Sequence, residues 1–210
     1  VRCQLHNKKV HHLMDFLFFN ILSKKNFLKY FIYYILNVNF VIMINRFDGR
    51  YSFLSNFYPC KIEHQGITYP SVEHYYVAMK CNSNQTFDGV YYTTVDFREM
   101  IAIVKSPGHV KKIGQKIKIR PDWDSKKLEF MTWGVNEKFK DPALKEMLLM
   151  TGDVEIVEGN YWHDNFYGQC SCEKCVGKGK NHLGKLLMEI RSELNGTKKP
   201  NLYDVLFPKK

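Results

Sequence analysis

Tyr69-Pro70-Ser71-Val72-Glu73-His74-Tyr75-Tyr76-Val77-Ala78-Met79-Lys80 is the stretch on which the reading of the fold turns. Pro70 suits the first turn of a helix, and Ser71 is a capping residue. Val72, Tyr75 or Tyr76, and Met79 recur at helical spacing and can face a core. Glu73 and Lys80 fall on nearly one side of that helix, two turns apart. A carboxylate in the first turn lies in the positive end of the helix dipole, which favours its ionised form. Such a carboxylate beside aromatic rings, with an ammonium further along, can hold a water or a sugar. The plainer reading has Glu73 only complementing the dipole and Lys80 as a solvated rim charge.

Composition narrows the class. A chain of 210 residues with 45% hydrophobic content fits one domain, or one domain with appendages. The formal charge is +10, of which residues 1–42, with six Lys/Arg and one Asp, hold +5. The remaining 25 Lys/Arg and 20 Asp/Glu leave +5 for residues 43–210, a mild excess compatible with an anionic small molecule or a nucleic acid. Six unevenly placed Cys do not form a secreted disulfide framework, so reduced thiols and a cytoplasmic setting are expected.

Residues 1–42 differ in texture. They lack Gly, Pro, Ala, Thr, Glu and Trp, and Phe, Ile, Tyr, Asn and Lys supply 23 of the 42. They read as a non-native or disordered extension, with the natural start expected at Met43. A membrane anchor is the rival, but the uncharged run Phe31 to Ile44 is shorter than the roughly 20 residues of a spanning helix and carries Asn37 and Asn39. The domain is expected over 43–196, followed by a loose tail over 197–210.

Along the domain, Phe47 to Pro59 is an aromatic, Gly-punctuated loop. Lys61-Ile62-Glu63 and Ile67-Thr68-Tyr69 flank a turn at Gly66 and predict a hairpin. Thr93-x-x-Asp96 opens a helix that Pro107-Gly108 should end, and His109 to Ile117 reads as a short basic helix. Helices follow with Leu128, Met131, Val135 and Phe139 inward, then from Asp141-Pro142 to Gly152. Val154 and Ile156 mark a half-buried strand. After an irregular loop from Asn160 to Lys180, the last helix turns Leu183, Leu186, Leu187, Ile190 and Leu194 inward and stops at Asn195-Gly196. No repeats and no βαβ order appear, so the class is α+β, mainly helical, around a small β-sheet.

The second acidic candidate is Asp164, in Tyr161-Trp162-His163-Asp164-Asn165-Phe166-Tyr167-Gly168. Aromatic faces there can grip a base, and Gly168 lets the backbone come close. An Asx turn is the structural counterpart. Arg120 and Trp123 pair a guanidinium suited to phosphate with a stacking ring, or simply a surface Arg with a core Trp. Asn56 can bond a ribose hydroxyl or close a turn. Cys170-x-Cys172-x-x-Cys175 has metal-like spacing, but zinc needs a fourth ligand from His163, His182 or elsewhere, and a free-thiol loop is the alternative. His74 and His109 have no relay partner by spacing and read as structural or rim residues. There is no Gly-rich phosphate loop, no G-x-S-x-G and no H-E-x-x-H.

Taken together, Phe47-x-Gly49-x-Tyr51-x-Phe53-Leu54-Ser55-Asn56-Phe57-Tyr58-Pro59 and Gly66-Ile67-x-Tyr69-Pro70-Ser71-Val72-Glu73-His74-Tyr75-Tyr76-x-Ala78-x-Lys80 resemble the NADAR family, the YbiA-like N-glycosidases. The order continues through Asp122-Trp123, Lys138-Phe139, Thr151-Gly152, Glu158, Asp164-x-x-Tyr167-Gly168 and Asn181-x-Leu183-Gly184, and the resemblance covers about 44–194. It implies cleavage of N-glycosidic bonds, in phosphoribosylamino-pyrimidines of early riboflavin synthesis or in ADP-ribose attached to guanine, without metal or redox cofactor. A non-catalytic NAD or ADP-ribose binding module is the reading from another class, and nucleic acid becomes a partner only for ADP-ribosylated guanine. Under the resemblance Glu73 stabilises the cationic sugar or activates water, and Asp164 orients ribose or water. Arg50, Lys80 and Arg120 meet phosphate, Trp123 and Tyr167 sandwich the base, Asn56 fixes the sugar, and Gly168 gives close approach. The family usually has Trp where this chain has Tyr167. The resemblance assigns the cysteine run no role.

Overall fold

The computed structural model describes residues 43–196; the expectations for residues 1–42 and 197–210 lie outside them. The helix of the opening stretch, α1, spans Val72–Met79. Ser71 is its N-cap, with the hydroxyl accepting from the His74 amide, and Pro70 precedes the cap instead of occupying the first turn. All eight residues of α1 are buried, so the helix has no solvent face. Helices α2 (Thr94–Ile103), α3 (Pro107–Ile113) and α4 (Trp123–Lys138) all pack against it. Burial of side chains such as Val72, Tyr75, Val77 and Met79 stabilises the fold by roughly 1.5–3 kcal/mol each.

His74 shows how the buried helix satisfies its polar groups. Its Nε2 donates to the Val104 carbonyl at 2.8 Å, so Nδ1 is the acceptor for the Ser71 hydroxyl at 2.7 Å. This is the structural role expected for it, and burial lowers its pKa. His109 is exposed.

Helix α2 opens with the Thr93/Asp96 capping box but ends before Pro107. The expected stop, Pro107-Gly108, instead lies in the first turn of α3, capped by Ser106. A proline in the first turn sacrifices no helical hydrogen bond, so it starts a helix as readily as it ends one. Helix α5 (Pro142–Leu149) is capped by Asp141, whose Oδ1 accepts from Ala143 and Leu144. Helix α6 (His182–Leu194) buries Leu183, Leu186, Leu187 and Ile190, while Leu194 is half-buried.

Among the described residues the small sheet takes the form of four two-stranded ladders rather than one sheet. They pair β1 (Met43–Ile44) with β6 (Glu155–Ile156) and β2 (Ile62–His64) with β3 (Ile67–Tyr69). They also pair β4 (Gln85–Phe87) with β5 (Val90–Tyr92), and β7 (Gly159–Asn160) with β8 (Gln169–Cys170). The first and last pairs are parallel; β1 and β6 come from distant parts of the chain, whereas β7 and β8 are close in sequence. The β4–β5 hairpin turns on Asp88-Gly89, both at positive φ. Among the described residues no helix is long and apolar enough to cross a membrane.

Helix α6 packs across β6 at backbone distance. A Cβ at Gly184 would stand 2.2 Å from the Ile156 carbonyl oxygen and 2.5 Å from Asn181 Oδ1. Gly184→Ala should therefore lower the unfolding free energy by about 2–3 kcal/mol, because the obstacle is backbone that cannot rotate away. Urea unfolding of the two proteins measures this; an unchanged midpoint would show that α6 shifts freely.

Candidate active site

Glu73 lies in the first turn of α1, one of the buried charged residues of the core, at 8% exposure. Its amide donates to the Asn56 carbonyl at 3.0 Å, tying the aromatic loop to the helix start. That loop forms a 3₁₀ turn over Gly49–Leu54. It is held from below by Lys138, a fully buried lysine whose Nζ donates to the Ser55 carbonyl at 2.7 Å. Burial lowers the Lys138 pKa to about 8. The sequence therefore positions Asn56 from both sides.

A cavity of about 740 Å³ opens here, lined by Asn56, Glu73, Tyr76 and Lys80, by Lys111 and Gln115, and by Glu158, Asn160, Asp164 and Tyr167. Two polar atoms at its wall, Asn56 Oδ1 and Glu158 Oε2, are buried with no hydrogen-bond partner. Buried acceptors without partners are costly, and a ligand hydroxyl or amine would relieve them. Phe57, Tyr161 and Trp162 stand exposed on the same wall, and Lys111 Nζ lies 5.6 Å from the Trp162 ring and 5.9 Å from Phe57.

Glu73, Glu158 and Asp164 share this space, with the exposed Asp48 as a fourth carboxylate on its wall. Burial raises the Glu73 pKa to about 7, with Lys111 and Lys80 opposing the shift and Asp164 adding to it. Burial likewise raises Glu158 to about 8, with Asp164 adding, Lys111 opposing and Glu73 adding. The expected ionising pull of the helix dipole on Glu73 is thus outweighed by loss of water. Asp164 Oδ1 accepts from the amides of Phe166 (3.0 Å) and Tyr167 (2.9 Å), the Asx turn foreseen as its structural counterpart. Its backbone is clasped by the Asn160 side chain through both N–H and carbonyl. Gly168 is placed where a Cβ would lie 2.3 Å from the Glu158 carbonyl oxygen. That approach brings the Asp164 loop against the segment between β6 and β7 that carries Glu158.

Of the residues expected in the site, Glu73, Asp164, Asn56, Lys80 and Tyr167 line one cavity. Lys80 donates from Nζ to the Gly114 carbonyl at 3.1 Å, and burial lowers its pKa. Trp123 does not line the cavity. Its ring packs on Tyr76 at 4.9 Å and stacks on Phe130 at 6.0 Å, so it braces the cavity wall from outside. Arg120 is likewise outside, committed to Asp122 through two nitrogens and lying over Phe130. Arg50 lies over the Tyr51 ring, away from the cavity wall. Lys111, Glu158 and Tyr76 take their place. The sequence alone assigns them no role, since an isolated Lys in a helix or Glu in a connecting segment carries no spacing signal. His182 packs on Phe166 at 4.5 Å, while Cys170, Cys172 and Cys175 gather with His163.

An α+β fold with a carboxyl-lined cavity at the start of a wholly buried helix defines the class. A family model described as NADAR domain matches residues 44–195, and the chain belongs to that family. It is 33% identical to a riboflavin biosynthesis protein of Vibrio vulnificus over 70% of this chain and 36% of that protein. It is 36% identical to the chloroplastic riboflavin biosynthesis protein PYRR of Zea mays over 68% of this chain and 23% of that protein. The chain thus spans about a third and a quarter of those relatives. N-glycosidase YbiA of Escherichia coli is 33% identical over 69% of this chain and 82% of its own length. The NMR structure of E. coli YbiA superposes with a TM-score of 0.57 at 32% identity, covering 73% of this chain and 86% of that one.

Glu158 supplies a pH test of this site. Its folded pKa stands above the 4.5 of an ordinary glutamate, so its stabilising contribution is complete below about pH 4.5 and is lost as pH rises through about 8. Glu158→Gln should raise the melting temperature at pH 9, by an amount equivalent to on the order of 2–4 kcal/mol, with the gain vanishing towards pH 4. Thermal unfolding across pH checks it; a pH-independent difference would remove Glu158 from the buried acids.

Proposed function

We propose that this chain is an N-glycosidase that hydrolyses the bond between a ribose or phosphoribose and a nitrogen base. The observation that carries the reading is Glu73: a buried acid, poised near neutrality, sharing one cavity with Asp164, Glu158 and two lysines. The names of the NADAR relatives, N-glycosidase and riboflavin biosynthesis protein, support the same reaction class and favour a phosphoribosylamino-pyrimidine as substrate.

Breaking the anomeric C–N bond leaves positive charge on the ribose. Ionised Glu73 stabilises that charge or takes a proton from the attacking water, and Asp164 orients the ribose hydroxyls or the water. Protonated Glu158 donates to the departing base. Asn56 Oδ1 accepts from a sugar hydroxyl. Lys80 and Lys111 meet the phosphate, a role for which Arg50 and Arg120 are too far engaged elsewhere. Trp162 and Phe57, exposed beside Lys111, offer the base an aromatic surface at the mouth, and Tyr167 lies deeper. The setting proposed is cytoplasmic, in keeping with the cysteine usage. A volume of about 740 Å³ also admits an ADP-ribose-sized ligand, which keeps ADP-ribosyl-guanine as the second substrate class.

Glu73→Gln should lower kcat at least about a hundredfold while leaving ligand affinity nearly unchanged. The assay offers phosphoribosylamino-uracil and ADP-ribosyl-guanosine side by side and follows release of free base. Equal losses in binding and turnover would make Glu73 an anchor. Turnover should also rise with pH through about 7, as Glu73 ionises, and fall above about 8, as Glu158 gives up its proton. A flat profile across that window would defeat the assignment of base and acid.

A further inference from the structure

His163, Cys170, Cys172 and Cys175 present one imidazole nitrogen and three sulfurs that all lie within 4.8 Å of one another. We propose that these four residues bind a structural Zn²⁺ ion in a Cys₃His site. Such a site would be distinct from the carboxyl groups of the cavity.

The distances argue for a single central ion. His163 Nδ1 lies 3.3 Å from Cys175 Sγ, 3.4 Å from Cys172 Sγ and 3.9 Å from Cys170 Sγ. A tetrahedral zinc with ordinary Zn–S and Zn–N bonds separates its nitrogen and sulfur ligands by about 3.6 Å. The three observed separations straddle that value. All three cysteines are free thiols, so no disulfide accounts for their approach.

The backbone is arranged for the same purpose. Cys172 and Cys175 are joined by a tight turn in which the Cys175 and Val176 amides donate to the Cys172 carbonyl at 2.9 and 3.0 Å. Gly177 follows at φ +76°, turning the chain away from the ligands. Asn165 supports the other side, its Oδ1 accepting from the Cys170 amide at 3.3 Å. His163 takes a positive φ of 66°, which is unfavourable for a residue with a Cβ and needs compensation from its partners.

Position gives the ion a purpose. His163 immediately precedes Asp164, and Cys170 and Gly177 belong to the cavity wall. One ion would tie the Asp164 loop to β8 and to the segment leading into α6. Zinc binding displaces the thiol protons, so the site needs reduced cysteines and loosens at low pH.

The test uses the full chain purified under reducing conditions. Elemental analysis should find about one zinc per chain, falling at least fivefold in Cys172→Ser while Cys60→Ser and Cys81→Ser keep it. Exchange into Co²⁺ should give the intense visible bands of a tetrahedral thiolate site with the wild-type chain, a readout that needs no variant to fold. A chelator should lower the melting temperature of the wild type and leave that of Cys172→Ser unchanged. Zinc below one-tenth per chain together with no cobalt bands would overturn the proposal. So would a Cys172–Cys175 disulfide found by mass spectrometry in the native protein.

Discussion

Everything in this domain answers to the complete burial of α1. A helix with no solvent face must be enclosed on every side, and α2, α3 and α4 do so. Its polar members then need partners inside the protein, as Ser71 and His74 find in each other and in Val104. Glu73 is the exception that the enclosure creates. The dipole of a helix start is worth up to about 1–2 kcal/mol to a carboxylate. Raising its pKa from 4.5 to about 7 reflects a net cost of about 3 kcal/mol for the charged form. Dehydration wins, and the acid arrives near neutrality with its proton loosely held.

The cavity extends the same economy of charge. Glu73 and Glu158 in one partly dry space cannot both ionise cheaply, and the lysines beside them sit on the same wall, Lys111 opposing both shifts and Lys80 that of Glu73. The protein tolerates this because the surrounding frame is fixed by buried hydrogen bonds. Asn181 shows how: from a left-handed backbone it donates to the Ile156 carbonyl and accepts from the Glu158 amide, locking the segment after β6 that carries the second acid. Lys138 performs the matching service under Asn56, at the cost of a dehydrated ammonium group.

Much of this was legible in the chain, for reasons that can be named. The β2–β3 hairpin, the Ser71, Thr93 and Asp141 caps and the apolar faces of α4 and α6 are local patterns, written in adjacent residues. The Asp88-Gly89 hairpin carried an equally strong turn signal but lies in a polar stretch that drew no reading. The parallel β1–β6 and β7–β8 pairs are set by tertiary contact and leave no periodicity. Glu73 and Asp164 stood out by their aromatic settings, whereas Glu158 and Lys111 have ordinary neighbours and acquire meaning only once the loops converge. Trp123 misled because stacking rings look alike in sequence whether they face a ligand or brace a wall. His163 was one of several candidate partners for the cysteines, and only folding selected it over His182.

Where the family resemblance leads one to expect tryptophan, this chain has Tyr167, and its hydroxyl has a definite hydrogen-bonding sense. It donates to the Lys127 carbonyl at 3.1 Å, so the 2.7 Å contact with Tyr76 must run from the Tyr76 hydroxyl to the Tyr167 oxygen. An indole could not receive that proton. The two phenols form a one-way wire that terminates on a peptide oxygen and has no outlet. The paired rings therefore serve as a strut in the cavity wall.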